Sequence, residues 1–339
     1  MAEVTKKNKH TMNIIRLLVA AGAFYLAFRG VDMKQMFVNF SKLKPIVIAA
    51  AIVMSLAGQL VFVFRWLLLL KIQDISIKYV QAMKLHFVGL YYNICLPSSV
   101  GGDALRMWYV TKHTDKKMEA ALSVLVDRIM GMICTFMIIF VAYWFMPGGD
   151  TKLKFEFDII PTLIKAVLAV VILFVLAGIT LFAMYKIRRF RPILFKYGFI
   201  FMLKWKMWSS RFITAIKLYC SKPFTLLFAL ALGFTCQALP ITALYLVGRN
   251  LGIEANLKYY FIFFPLSWIM GIIPISIGGA GVVELGLREM FSKVAAVTSE
   301  QGLGLGLAQR IIWLLTSIPG VIIHISGKHL PEEERIEPK

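Results

Sequence analysis

Seven ionisable residues stand in or beside strongly apolar sequence: Arg106, Arg128, Arg288 and Arg310, with Asp103, Asp127 and Glu284. A charge in hydrocarbon costs at least about 2.5–3.5 kcal/mol on insertion scales, so each is expected to have a partner or a task. Arginine stays protonated and bonds phosphate oxygens in pairs, which suits a partly dry anion site. Glycine pairs lie beside these residues: Gly101-Gly102 precedes Asp103, and Gly278-Gly279 precedes Glu284. Each pair is expected to open a helical segment whose free N–H groups would add to an anion seat. Asp103 and Arg106 have the spacing to share a helix face, as do Glu284 and Arg288. The carboxylates have three readings: capping the half-helices, holding the arginines in position, or binding a proton or cationic group. Mutual neutralisation across a helix bundle accounts for any single pair. The whole set favours a central polar cavity.

The glycine pairs end a doubled string. Pro97-Ser98-Ser99-Val100-Gly101-Gly102 and Pro274-Ile275-Ser276-Ile277-Gly278-Gly279 both read P-x-S-x-G-G. Broken helices at matching positions in two halves point to a transporter's binding site. Ser99, Gly101, Gly102, Ser276, Gly278 and Gly279 therefore join the charged residues as candidate substrate-binding positions. Other marks repeat in the same order. Gln59 and Gln237 precede the strings, and Asp127-Arg128-Ile129 and Gln309-Arg310-Ile311 follow them. The predicted repeats cover about 45–146 and 223–326.

A bilayer crossing needs about 20 apolar residues. Six segments qualify: 12–29, 45–70, 120–146, 163–185, 223–248 and 303–326. Two more apolar stretches are broken, 79–110 at Pro97 to Gly102, and 257–291 at Pro265 and again at Pro274 to Gly281. The arm from Leu85 to Leu96 is too short to cross. Both stretches are predicted as re-entrant hairpins, tolerable only where protein or water covers the backbone. The expected fold is an all-α polytopic membrane protein, one integral membrane domain over 1–339. It has six full transmembrane helices plus two re-entrant helical hairpins in an inverted repeat.

Composition agrees. The chain has 339 residues, 59% hydrophobic and 17% charged, with mean hydropathy +0.74. A soluble domain is about a quarter charged. The net charge of +20 is read as topology rather than nucleic-acid binding, because cytosolic loops collect Lys and Arg. Segment 186–222 holds ten Lys or Arg and no acid, with Phe199, Trp205 and Trp208 among them. It is predicted as cytosolic, lying on the anionic lipid surface of the inner leaflet; an ordinary linker would take the same side. Loop 147–162, with Asp150, Glu156 and Asp158, suits the outside, whereas the basic loop 30–44 fits its place poorly. Lys6, Lys7 and Lys9 before an apolar run imitate a signal peptide, but the expectation is an uncleaved first span. The protein is thus placed in the inner (cytoplasmic) membrane, multi-pass, with both termini cytosolic. The first hairpin would enter from the cytosol and the second from outside.

Enzyme signatures are scarce. Cys95, Cys134, Cys220 and Cys236 form no CxxC pair, and the five histidines lack metal-ligand spacing. His86 reads as a packing residue. There is no HExxH, GxSxG or P-loop. No catalytic residue, metal ligand or cofactor is expected, and any transport would be passive or ion-coupled. The expected partner is a membrane lipid, not nucleic acid, and the sequence leaves room for a homo-oligomer.

The run Asn93-x-x-x-Pro97-x-Ser99-x-Gly101-Gly102-Asp103-x-x-Arg106, the pair Asp127-Arg128, and Pro274-x-Ser276-x-Gly278-Gly279-x-Gly281-x-x-Glu284 together resemble the lysylphosphatidylglycerol synthase transmembrane (flippase-like) family. Asp127 is a mild departure, since the family commonly has Glu there. The likeness covers about 12–326. It implies a domain that moves aminoacylated phospholipid between leaflets, made in two-part members by a separate synthase domain. The short tail after the last span implies a stand-alone member without the synthase half. Stand-alone members are also linked to glycolipid and polyprenyl-lipid pathways. The expected function is translocation of an anionic-headgroup lipid: a phospholipid, an aminoacyl-phospholipid or a polyprenyl-phosphate-linked lipid. A membrane enzyme of lipid or glycolipid synthesis, with Asp103 or Glu284 as base, is the weaker reading; a scaffold without substrate is the third.

Overall fold

The computed structural model describes residues 43–95, 101–145, 217–272, 277–293 and 297–327, with Thr214 and a few positions between 25 and 41. The elements below all belong to one compact unit, drawn from the chain before residue 149 and after residue 216. Among the described residues all regular structure is helical. The helices are α1 (Pro45–Ile72), α2 (Tyr79–Cys95), α3 (Gly101–Val110), α4 (Lys117–Phe145), α5 (Pro223–Asn250), α6 (Leu257–Ile272), α7 (Val282–Ser292) and α8 (Ser299–Ile325), with a 3-10 turn at Ile277–Gly279 before α7.

Four helices, α1, α4, α5 and α8, are 27 to 29 residues long and apolar enough to cross a membrane. At 1.5 Å per residue each reaches about 40 Å, against about 30 Å of hydrocarbon. They match the expected spans at 45–70, 120–146, 223–248 and 303–326. Their ends follow local chemistry. Pro45 and Pro223 begin α1 and α5, where the missing N–H costs nothing. Thr298 and Gln301 form a reciprocal cap at the start of α8, satisfying two orphan amides. Apart from Tyr25, the expected spans at 12–29 and 163–185, and the basic segment up to 213, lie outside the described residues.

Each of the two broken stretches contains two short helices. In the first, α2 has 17 residues and α3 has 10; in the second, α6 has 16 and α7 has 11. Seventeen residues extend about 25 Å, less than the hydrocarbon layer. The expected break at Pro265 is absent, because α6 runs through it. A proline there removes one backbone bond, which packed apolar helices tolerate; Pro240 in α5 and Pro319 in α8 are treated the same way.

Close packing then gathers the elements. A Cβ on Gly58 of α1 would stand 3.0 Å from the Cys236 carbonyl oxygen of α5, so a bare backbone is what lets these helices touch. Trp66, Leu70, Leu85, Val88, Tyr109 and Val124 make a core shared by α1 to α4. Phe87 and Leu90 of α2 pack with Trp313 of α8 and Trp268 of α6, joining the two halves. Phe136, Phe140, Trp144 and Phe145 of α4 point outward. That apolar face suits hydrocarbon and would be a liability in water.

Candidate functional site

Helix α3 sends two charges toward α4, and they cross. Arg106 Nη2 lies 2.9 Å from Asp127 Oδ2, while Asp103 pairs with Arg128 Nη2. Adjacent residues of α4 thus receive an acid and a base one turn apart on α3. A third arginine joins from α1. Arg65 Nε donates to Asp127 Oδ1 at 3.0 Å and its Nη2 lies 2.9 Å from the same oxygen. Arg65, Arg106 and Asp127 are at most 1% exposed. Three guanidinium groups here face two carboxylates.

Aromatic rings make this burial tolerable. The Arg65 guanidinium stands 4.6 Å from the Phe62 ring centre, and that of Arg106 stands 4.6 Å from Trp66. Such contacts contribute about 0.5–2 kcal/mol each. His86 stacks on Phe62 at 4.5 Å. Its Nε2–H donates to Gln59 Oε1 at 2.8 Å, and its Nδ1 accepts from Arg106 Nη1 at 3.4 Å. His86 is therefore held as a neutral ring inside the cluster. Arg128 differs from its neighbours: its side chain is 42% exposed, so the cluster has one accessible cation.

The glycine tips are closed differently from expectation. Gly101-Gly102 does open α3, but the Gly102 N–H donates to Asn93 Oδ1 at 2.9 Å. Gly278-Gly279 does not open a helix; α7 starts at Val282. Gly278, Gly279 and Gly281 have φ of 55°, 69° and 80°, left-handed values that glycine adopts without strain. The Gly281 N–H donates to Glu284 Oε2 at 2.8 Å. Both tips therefore spend an amide on the protein's own oxygen rather than presenting it to a ligand. Asn93 also links the tips, since a Cβ on Gly278 would lie 3.3 Å from the Asn93 carbonyl oxygen. Gly102 tolerates no side chain at all: a Cβ would fall 1.8 Å from the Gly89 carbonyl oxygen. Gly102→Ala is expected to lower the melting temperature in detergent, by a cost of about 1–3 kcal/mol or more. An unchanged melt would show that α2 and α3 do not pack this tightly.

The second half carries its own ion pair. Arg310 of α8 grips Glu284 of α7 with Nε to Oε1 at 2.5 Å and Nη2 to Oε2 at 3.1 Å. Its Nη1 donates to the Gly278 carbonyl at 2.9 Å. Gly306 makes this approach possible, because its Cβ position lies 3.0 Å from the Glu284 Cα. Glu284 turns to Arg310 rather than to Arg288, its expected partner one turn on. Arg288 Nε lies 3.7 Å from Glu289 Oε1, at the α7 turn covered by Gly302. A helix neighbour can offer one contact edge, whereas Arg310 comes from across the interface with its whole fork. Beside Arg310, a small cavity of about 10 Å³ is walled by Trp268, Gly278, Gln309 and Trp313, among others.

The structure thus brings Asp103, Arg106, Asp127 and Arg128 together, and separately Gly278, Glu284 and Arg310. Ser99 and Ser276 lie outside the described residues. Sequence reasoning missed Arg65 and gave Asn93 no role. An arginine inside the 45–70 apolar run was a sufficient signal for Arg65; Asn93 was marked by its place at the head of the first motif, but nothing in the sequence pointed to its role as a cap.

Residues 13–320 match the family model described as the lysylphosphatidylglycerol synthase TM region. The chain belongs to that family. It is also similar to a UPF0104 membrane protein of Methanothermobacter thermautotrophicus, at 23% identity over 96% of this chain and 98% of the relative. Membership in the lysylphosphatidylglycerol synthase TM family makes this a multi-pass membrane protein, in keeping with the four long apolar helices. In this member the residues of the first motif are tied together by Asn93 and Asp127.

Proposed function

We propose that this chain moves an anionic-headgroup lipid between leaflets. The observation that carries the reading is the cluster of Arg65, Arg106 and Arg128 against Asp103 and Asp127. An excess positive charge in a low-dielectric site is costly, and a lipid phosphate at the accessible Arg128 restores neutrality. The tails would stay in the bilayer. Glu284 and Arg310 act as a clamp on the second tip, and Asp103 and Asp127 hold the arginines.

The fold supports the same reading. The two pairs of short helices serve as re-entrant hairpins, and the units α1–α4 and α5–α8 as inverted repeats. With the spans expected at 12–29 and 163–185 the protein has six crossings, both termini in the cytosol and an inner-membrane location. Opposed halves of this kind permit rocking about a fixed site.

Reconstitution tests it. Proteoliposomes carrying a fluorescent anionic phospholipid should exchange it between leaflets, with its mass unchanged. Arg128→Gln should slow exchange by about 10–100-fold, the loss of one or two charge-assisted bonds to the phosphate. Asp127 stays paired with Arg65 and Arg106 in that variant, so it should still fold. Exchange at the rate of empty liposomes would refute the reading, and a lipid of altered mass would make the chain an enzyme instead.

A further inference from the structure

Trp268 Nε1 on α6 and Gln309 Oε1 on α8 are buried without a hydrogen-bond partner. Both residues wall the small cavity beside Arg310, and Gln309 is only 7% exposed. An indole N–H can only donate, and an amide oxygen can only accept. Leaving either unmet costs the full desolvation of that group. The cavity measures about 10 Å³, close to the roughly 10–15 Å³ that one water needs. We propose that it is the site of a single internal water that bridges Trp268 to Gln309. No lipid headgroup fits a space of this size, so the proposal stands apart from the transport reading above.

Hydrogen-bond direction selects the occupant. One water accepts from Trp268 Nε1–H and donates to Gln309 Oε1. Arg310 also walls the cavity. Three of its five N–H groups go to Glu284 and Gly278, and a fourth can donate to the second lone pair of the water. That makes three bonds, the usual number for a buried water. A halide would take the N–H donors but face the lone pairs of the Gln309 oxygen. A sodium ion would take that oxygen but face the indole N–H and the Arg310 cation. The walls explain why the gap persists. Gly271 and Gly279 stand against each other, a Cβ on Gly279 falling 3.2 Å from the Gly271 Cα, so no side chain from either can fill it. The bridge also has a structural consequence. Arg310 holds the Gly278 carbonyl from α8 at 2.9 Å, and the water ties α6 to α8 beside the same turn. The second tip is thereby fixed to α8 at two points, one direct and one through solvent.

A crystal structure of the full chain that resolves ordered water is the direct test. It should show one density peak at hydrogen-bonding distance, about 2.5–3.2 Å, from both Trp268 Nε1 and Gln309 Oε1. Well-defined side chains with no peak between them overturn the proposal. So does anomalous signal at the peak after chloride is replaced by bromide, which would make the occupant a halide. Melting in detergent gives an independent reading. Trp268→Phe and Gln309→Leu each leave the water with one partner fewer, whereas the double variant removes both polar atoms together. The double variant should therefore lose less than the sum of the two single losses, by about 2 °C or more. Strictly additive losses would mean that the two atoms share no water, and the bridge would fall. The density measurement needs no variant, so a folding failure of either one leaves it intact.

Discussion

Asp127→Asn should fold poorly. The carboxylate is fully buried and accepts from Arg65 on one oxygen and Arg106 on the other. An asparagine offers one acceptor and turns its NH₂ group toward a guanidinium. Two cations then share a dry site without their anion. Removing one partner of a buried pair costs about 3–5 kcal/mol, a large part of a typical stability of about 5–15 kcal/mol. The detergent-solubilised variant should show a sharply lowered melting temperature and little monodisperse protein. Adding Arg65→Met should recover much of the loss, because it removes one of the stranded charges and keeps a chain of similar length. A melt indistinguishable from the unaltered protein would mean that water reaches the cluster, and the charge argument would lose its footing.

Arg310→Ala is the second large effect, and it separates stability from transport. Glu284 is also fully buried, and Arg310 is its bidentate partner as well as the donor to the Gly278 carbonyl. Truncation leaves a lone carboxylate in apolar surroundings and frees the glycine turn, at a cost again of about 3–5 kcal/mol. Lysine cannot substitute, because a point charge does not reproduce a planar fork. The double variant Arg310→Met with Glu284→Gln should regain the melting temperature, since Gln can still accept from the Gly281 N–H. It should remain inactive in the leaflet-exchange assay, with the pocket cation gone. Normal exchange by that double variant would remove Arg310 from the transport machinery.

The comparison of Gln59 with Gln237 shows how far pattern reading reaches. Both mark the same position ahead of a glycine string. Gln59 bonds His86 on α2, whereas Gln237 accepts from Thr135 and donates to the Gly131 carbonyl on α4. Equivalent positions thus serve different contacts, because only one half brings a histidine alongside. The ion pairs are more alike. In each half an acid on the short helix after the glycines meets an arginine on the following long helix, Asp103 with Arg128 and Glu284 with Arg310. The residue types were legible in the chain, but the pairing across helices was not, since local spacing favoured partners on the same helix.

By itself the sequence determined the membrane class, four of the long helices and the two interrupted stretches. Length and apolarity suffice for a span, and proline with paired glycine suffices for a break. It also singled out the charged residues, because charges are rare in hydrocarbon. Only the tertiary structure decided which acid holds which arginine, that Arg65 shares Asp127, and that Asn93 and Glu284 occupy amides at the glycine tips. Those choices depend on which backbones approach closely enough to bury a charge. That approach is fixed at Gly58, Gly102 and Gly306 by contacts between residues far apart in the chain.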